Sequence, residues 1–459
     1  MPSEFRPSIC LALASALLLS SVQTASAGWK AGAARIKITP DYPVRLSGYG
    51  NRTTEFEGVK ADLWAKALAI AWDDEPPAVV ITVDNCGVPG TLRDEVLAGL
   101  ANQHLVTERF ALCSTHTHCA PMLKGMLANM FGMDLPPDQQ EHVDRYTAEV
   151  RDKLIKVAVE AVTVMKPASL SAGHGKVGFA SNRRLPTPAG FTNSQNVDGL
   201  TDHDLPVLKV TDENGTVRAI FTSYACHCTT MGWNFVYPDW AGMAQADLEK
   251  AYPEAIALTA IGCGADQNPY PRHEEANALQ HGQALADEAA RVVKGSTRPL
   301  KGPLQCEVRS LRLPYEAVPP KEHWEELAAN GKSLHEKHLG SLFLAMLARK
   351  EAIPTELPYL VQAWRFSDDL AMVFLNGEVV VDYGLRLKRE YDKERLWVNG
   401  YSNNVPCYIP SERVLAEGGY EAGGAMLYYA RPNKFAPGLE DKIIGAVHEL
   451  VPDVFKPRP

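Results

Sequence analysis

Apolar positions along the chain follow two periods. "AVVITVDNC" (78–86), "RFALCSTH" (109–116) and "EAIALTAIGC" (254–263) are near-continuous apolar runs with the length of buried strands. "TLRDEVLAGLANQH" (91–104) and "QEHVDRYTAEVRDKLIKVAVEAVTVM" (140–165) repeat apolar residues at helical spacing. "LPVLKVTDENGTVRAIFTSYACH" (205–227) predicts a hairpin, two strands around the turn Asp212-Glu213-Asn214-Gly215. Residues 323–352 predict one helical region, and "LAMVFLNGEVVV" (370–381) a strand running into a helix. Strand-helix alternation mixed with a hairpin predicts an α/β fold, with mixed β-sheets layered with helices. No repeat or low-complexity linker divides the chain. Pro299 to Pro303 offers a hinge, but both flanks look equally core-forming, so one large domain is expected over 28–459.

Composition narrows the partners. The 459 residues are 46% hydrophobic, ample for a large core. A net charge of −9 with both signs dispersed, and no Lys/Arg run, argues against a nucleic-acid partner. Arg6, the apolar stretch Ile9–Val22 and the small residues "TASA" have the order of a signal peptide cut after Ala27. The stretch is short for a membrane span. The expectation is an exported chain, periplasmic or extracellular. Beyond Cys10 eight cysteines remain, with no CxxC pair, so neither a thioredoxin-like nor a zinc-ribbon site is supported, and their pairing is not legible from spacing.

Candidate chemistry begins at "FALCSTHTHCAP" (110–121). If the strand continues through the motif, His116 and His118 point to the same face. By spacing alone, a ligand pair and a strand end bonded to backbone stand about even. His227, in "YACHCTTMG", points away from Cys226 and Cys228 by the same alternation, and taken alone a core histidine is the commoner reading. Glu378 sits at a strand-to-helix junction behind Gly377, suited to a ligand, a general base or a helix-start acid. "GCGADQNPYPR" (262–272) permits a tight turn or an oxyanion hole but is neither a Walker nor a Rossmann motif. No GxSxG elbow is present, which counts against a serine hydrolase.

In chain order, "AGAARIKITP…LSGYG", "LWAKALAI", "ITVDNCG", "STHTHCAP", "ASNRRL", "DLPVLKV", "YACHCTTM", "YPDWAG", "NGE" and "GYSNN…CYIPSE…GGYEAGG" together resemble the catalytic N-terminal domain of neutral/alkaline ceramidases. The resemblance covers nearly the whole chain after Ala27. It implies a Zn2+ site built from His116, His227, Glu378 and Tyr408, with His118, Arg183 and Tyr420 as catalytic neighbours. It also implies hydrolysis of an N-acyl amide, ceramide to sphingosine and fatty acid, by zinc-activated water. Zinc lowers the pKa of water from 15.7 to about 7 and polarises a carbonyl. His118 is then expected to carry the proton to the leaving amine, and Arg183 and Tyr420 to steady the oxyanion or a substrate hydroxyl.

Two departures from the family pattern qualify the substrate. The family's GDxSPN-type serine motif here reads "GADQNP", which puts Gln267 or Asn268 near the serine position. An amide donates hydrogen bonds but is no nucleophile. Gln267, Asn268 and Asp239 are therefore carried as possible oxyanion or substrate contacts. The chain also ends soon after "GGYEAGG", so the family's immunoglobulin-like C-terminal domain is expected to be absent. A lipid or small-molecule acyl amide is the leading substrate class. A different amide, peptide or ester is the runner-up, and a non-catalytic exported binding protein comes third. "LGSLFLAMLA" (339–348) reads either as an apolar lip for peripheral membrane contact or, more commonly, as a core-facing stripe.

Overall fold

Two β-sheets lie face to face with helices outside them. The computed structural model describes residues 28–457, so the targeting segment inferred above lies outside the described residues. The larger sheet is built from β1 (Trp29–Lys37), β2 (Trp64–Trp72), β3 (Ala78–Val83), β4 (Phe110–Ser114), β5 (Lys166–Lys176), β6 (Asp204–Asp212), β7 (Val217–Tyr224) and β8 (Ile256–Ile261). Their spatial order is β8-β7-β6-β5-β1-β2-β3-β4, and the short strand Arg298–Pro299 pairs with β5. The smaller sheet follows chain order: β9 (Leu304–Pro314), β10 (Glu356–Phe366), β11 (Leu370–Leu375), β12 (Leu396–Asn399).

The period of two along each strand creates the layers. On β3, Val79, Ile81 and Val83 share the outer apolar core with the helices, while Ala78 and Val80 face inward between the sheets. On β11, Leu370, Met372 and Phe374 face inward and Ala371, Val373 and Leu375 outward. Trp29, Trp364, Trp397 and Phe221 fill the space between the sheets. Each such side chain contributes roughly 1.5–3 kcal/mol by burial. Helices α1 (Gly90–Gly99), α2 (Pro137–Thr163), α3 (Asp239–Ala251) and α4 (Glu275–Lys294) flank the larger sheet. Helices α5 (Lys321–Asn330) and α6 (Leu334–Ala348) form a hairpin, and α7 (Val381–Glu390) and α8 (Leu439–Leu450) cover the smaller sheet.

Most neighbouring strands are antiparallel, but three pairs are parallel with a helical crossover: β3-α1-β4, β7-α3-β8 and β11-α7-β12. The carboxyl ends of these six strands gather at one edge of the sandwich, where backbone bonds join the sheets. Ser114 donates its N–H to Tyr401 at 3.1 Å, and Gly400 donates to Ile261 at 2.9 Å. In α/β sheets this is the edge where ligands bind.

The expected mixed-sheet α/β architecture is the one found, and the hairpin folds as β6 and β7. Other expectations are corrected. Residues 323–352 form two helices broken at Gly331, whose Cβ would meet the Leu327 carbonyl oxygen at 2.6 Å. The strand expected over 109–116 ends at Ser114. The helix expected over 91–104 ends at Gly99 and continues as a short 3-10 turn. All eight described cysteines are free thiols. Of the apolar stretch 339–348, Leu339 and Phe343 pack on Trp324 within the helical hairpin, which is the core-facing arrangement. Among the described residues no helix is long and apolar enough to cross a membrane.

Close approach of α2 to the sheet depends on Gly32, where an added Cβ would stand 2.2 Å from the Ala161 carbonyl oxygen. Gly32→Ala is expected to lower unfolding free energy by about 1–3 kcal/mol through overpacking. Chemical denaturation checks it, and wild-type stability in that variant would show that the helix has room to shift.

Candidate metal centre and cleft

His116, His227 and Glu378 each stand just past the carboxyl end of a strand. After β4 the chain leaves extended geometry, and His116 has φ +60, a left-handed conformation that is rare for side-chain-bearing residues. This turn, not strand alternation, brings the two histidines of the motif together, with their Nε2 atoms 3.0 Å apart. His227 lies three residues past β7 and not on it, so the alternation expected to set it opposite Cys226 and Cys228 does not apply. Glu378 follows β11 across Gly377 (φ +82) and pairs in register with Tyr408 in a two-residue parallel ladder.

Hydrogen bonding fixes which ring nitrogens face the centre. Nδ1 of His116 donates to the Cys86 carbonyl, and Nδ1 of His227 donates to the Gly264 carbonyl at 2.8 Å. A carbonyl oxygen only accepts, so both protons sit on Nδ1 and both Nε2 lone pairs point inward. Each Nε2 is 3.2 Å from Oε2 of Glu378. Three buried acceptor atoms thus face one another at one point, an arrangement suited to holding a cation. Two imidazoles, a carboxylate and a neighbouring phenol suit zinc in donor type. His116, His227 and Glu378 therefore fit a resident metal ion. Tyr408 lies with its hydroxyl 3.2 Å from Nε2 of His227, within reach of the same point.

Proton affinities carry the same imprint. Burial opposes charge on His116, but Glu378 and Cys86 outweigh it and raise its pKa to about 10. Burial alone would raise the Glu378 carboxyl; the two histidines hold it well below the usual range instead. Burial, then Arg183 and His116, lower His227 to about 3. Burial and the neighbouring histidines likewise keep His118 well below its ordinary value.

A second layer holds the centre. Glu421, 3% exposed, accepts from Arg183 at 2.9 Å and from Arg184 at 2.7 Å. Arg183 in turn donates to the Tyr408 hydroxyl at 2.9 Å and to Oδ1 of Asn268 at 3.3 Å. Its guanidinium lies 5.7 Å from the Tyr420 ring. Tyr429 donates to Oε1 of Glu378, and the Tyr401 hydroxyl stands 3.5 Å from Oε2. Glu421, Tyr429 and Tyr401 were not among the sequence candidates. Glu421 lay within the quoted "GGYEAGG", whereas nothing in "LYYARP" distinguishes Tyr429.

A cleft of about 510 Å³ opens on this group, lined by His118, Arg183, Asn268, Tyr408, Tyr420, Tyr49, Arg272 and their neighbours. Of the three possible oxyanion contacts, only Asn268 reaches it. Gln267 is fully buried, donating to the Ala225 carbonyl at 2.6 Å and accepting from the Asp202 N–H at 2.8 Å. Asp239, equally buried, accepts from the backbone of Met231 and Trp240 at the start of α3. Those two hold turns and do not face the cleft.

With this geometry in view, comparison with known proteins is decisive on kinship. The neutral/alkaline non-lysosomal ceramidase N-terminal pattern matches residues 29–306, more than half of the chain. The chain belongs to the neutral/alkaline non-lysosomal ceramidase family. Neutral ceramidase B of Dictyostelium discoideum is 24% identical over 197 residues, which are 41% of this chain and 26% of that protein. The aligned segment thus spans about a quarter of the relative's length. A solved ceramidase complexed with C2 superposes with a TM-score of 0.69 at 17% identity, covering 95% of this chain and 77% of that one. Neutral ceramidase from Pseudomonas aeruginosa gives 0.68 at 19%, covering 94% and 76%. At such identities the likeness is one of fold. The family pattern takes in His116, His118, Arg183, His227 and Asn268; Glu378, Tyr408 and Tyr420 come from the chain beyond it.

Two variants probe the ceramidase-like centre. Tyr429→Phe frees one oxygen of Glu378 and is expected to weaken metal affinity about 10–100-fold, measured by competition with a chelating dye. Glu421→Ala leaves two buried guanidinium groups without their shared carboxylate and is expected to cost about 3–5 kcal/mol in unfolding experiments.

Proposed function

We propose that the protein is a zinc-dependent amidase of ceramidase type, cleaving an N-acyl amide to a carboxylate and an amine, with ceramide as the leading substrate. The observation that carries this reading is the convergence of His116, His227 and Glu378, their donor atoms aimed at one point beside the cleft. Zinc held there supplies a water of lowered pKa and polarises an amide carbonyl.

The chain's own residues account for the rest. His118 lines the cleft beside His116, and its Nδ1 is buried without a partner. Held neutral by burial, its imidazole can accept a proton as water adds to the amide carbon and deliver it to nitrogen as the C–N bond breaks. Arg183 stays charged, because Tyr408 and Glu421 outweigh the burial that opposes its charge. With the Tyr420 hydroxyl it offers donors to the developing oxyanion. Asn268 has Oδ1 engaged by Arg183 and Thr229, which leaves its NH2 group for the substrate. No serine nucleophile is required by this scheme. Export is part of the proposal, supported by the signal-peptide pattern that ends near Ala27.

A second reading keeps the chemistry and changes the amide. Met130 is the one aliphatic side chain among the residues lining the cleft, so a long alkyl chain would find mostly tyrosine rings, arginine and amide groups.

His116→Ala is expected to lose both stoichiometric zinc and hydrolysis of an acyl amide, read by metal analysis alongside a ceramide assay. Full activity in that variant would overturn the site. Removal of metal by chelation should abolish hydrolysis, and zinc should restore it in the wild type alone.

A further inference from the structure

The cleft carries more positive charge than its surroundings answer. No Asp or Glu lines it among the described residues, although the chain as a whole has a net charge of −9. Arg183 is matched by Glu421. Arg272 is not matched: among the described residues its one hydrogen-bond partner is the Tyr49 hydroxyl, 3.4 Å from Nη2. Its Nε is buried with no acceptor. Behind Tyr49, the buried Arg52 donates to the Ser47 and Trp233 carbonyls, its guanidinium 5.0 Å from the Tyr49 ring. It too has no carboxylate partner among the described residues. Neither guanidinium beside Tyr49 has a carboxylate in contact among the described residues, Arg52 being buried and Arg272 half-buried with its Nε shut off from water, and burying a cation's donors unanswered is costly. A bound anion would relieve that cost, and a cleft lined by one sign of charge concentrates such ligands.

The position of Arg272 indicates which part of a substrate would meet it. The Tyr49 ring packs edge-on against His118, their centroids 5.0 Å apart. Arg272 therefore lies on the His118 side of the cleft, where the leaving amine would take its proton. We propose that the preferred substrate is an acyl amide of an anionic amine, with a carboxylate or a phosphate on the amine part received by Arg272. This rests on the amidase reading above and takes its second form, an amide other than ceramide.

The test compares zinc-loaded wild type, Arg272→Gln and Arg272→Lys on two matched pairs of one acyl length. One pair is an N-acyl amino acid and its carboxamide; the other is an N-acylethanolamine phosphate and the N-acylethanolamine. In the wild type the charged member of at least one pair should be favoured by about 10-fold or more in kcat/KM, mainly through KM. Which pair shows the preference identifies the anion. Arg272→Gln should bring that ratio near one, and Arg272→Lys should retain part of it. A wild-type ratio near one in both pairs, or one unmoved in Arg272→Gln, overturns the anion subsite and leaves the amidase reading intact. Calorimetry separates the opposite failure. If no amide is cleaved, yet a charged compound binds more tightly than its neutral partner and only with Arg272 present, the amidase reading falls and the subsite stands.

Discussion

The structure turns on a local conflict: three buried acceptors, the Nε2 atoms of His116 and His227 and Oε2 of Glu378, aimed at one point. Left alone they repel, and burial magnifies the repulsion. Such a conflict persists only if the surrounding fold prevents the three from turning away. Backbone carbonyls of Cys86 and Gly264 lock the two rings, and the ladder to Tyr408 locks Glu378. Against the effect of burial, His116 rises and Glu378 falls in proton affinity because the two face each other at that point.

The two-sheet architecture makes that lock possible. His116 and His227 leave the larger sheet, Glu378 leaves the smaller one, and all depart from carboxyl ends of parallel strands. Backbone bonds between Ser114 and Tyr401, and between Gly400 and Ile261, tie the two ends together at that edge. Asp266 adds another tie. It accepts from Asn182, beside Arg183, and from the Val381 N–H, beside Glu378. This brace is shut off from water, and that burial, with Asp382 nearby, raises its carboxyl to about 7. Ligands more than a hundred residues apart are thereby held at hydrogen-bond distances.

Legibility from sequence followed the range of the interaction. The hairpin of β6 and β7 and the long helix α2 are local patterns, and both folded as their periods predict. The helix expected over 323–352 failed because its apolar spacing continues across Gly331, where helix packing and a sharp turn prevail over period. The convergence of His116 and His118 was anticipated for the wrong reason, since a left-handed residue achieves what alternation was expected to do. Ligand candidates were legible through an ordered resemblance. Glu421, Tyr401 and Tyr429 were not, because their significance lies in partners at positions 183, 184 and 378. A carboxylate that neutralises two arginines looks, in sequence, like any other glutamate.

The turn "GADQNP" shows how finely a short motif can divide its work. Adjacent amides on an extended segment point to opposite sides. Gln267 turns inward and is used up by backbone groups of Ala225 and Asp202; Asn268 turns toward Arg183 and the cleft. Arginine only donates, so the Asn268 oxygen must face it, and the NH2 group is left facing the other way. The result is a fixed donor, Asn268, in the motif that the family resemblance sets beside its serine. A hydroxyl there can donate, accept or react, whereas this amide can only present hydrogens to an oxygen. In the function proposed above, attack is therefore assigned to water, with His118 as the proton carrier, and not to this side chain.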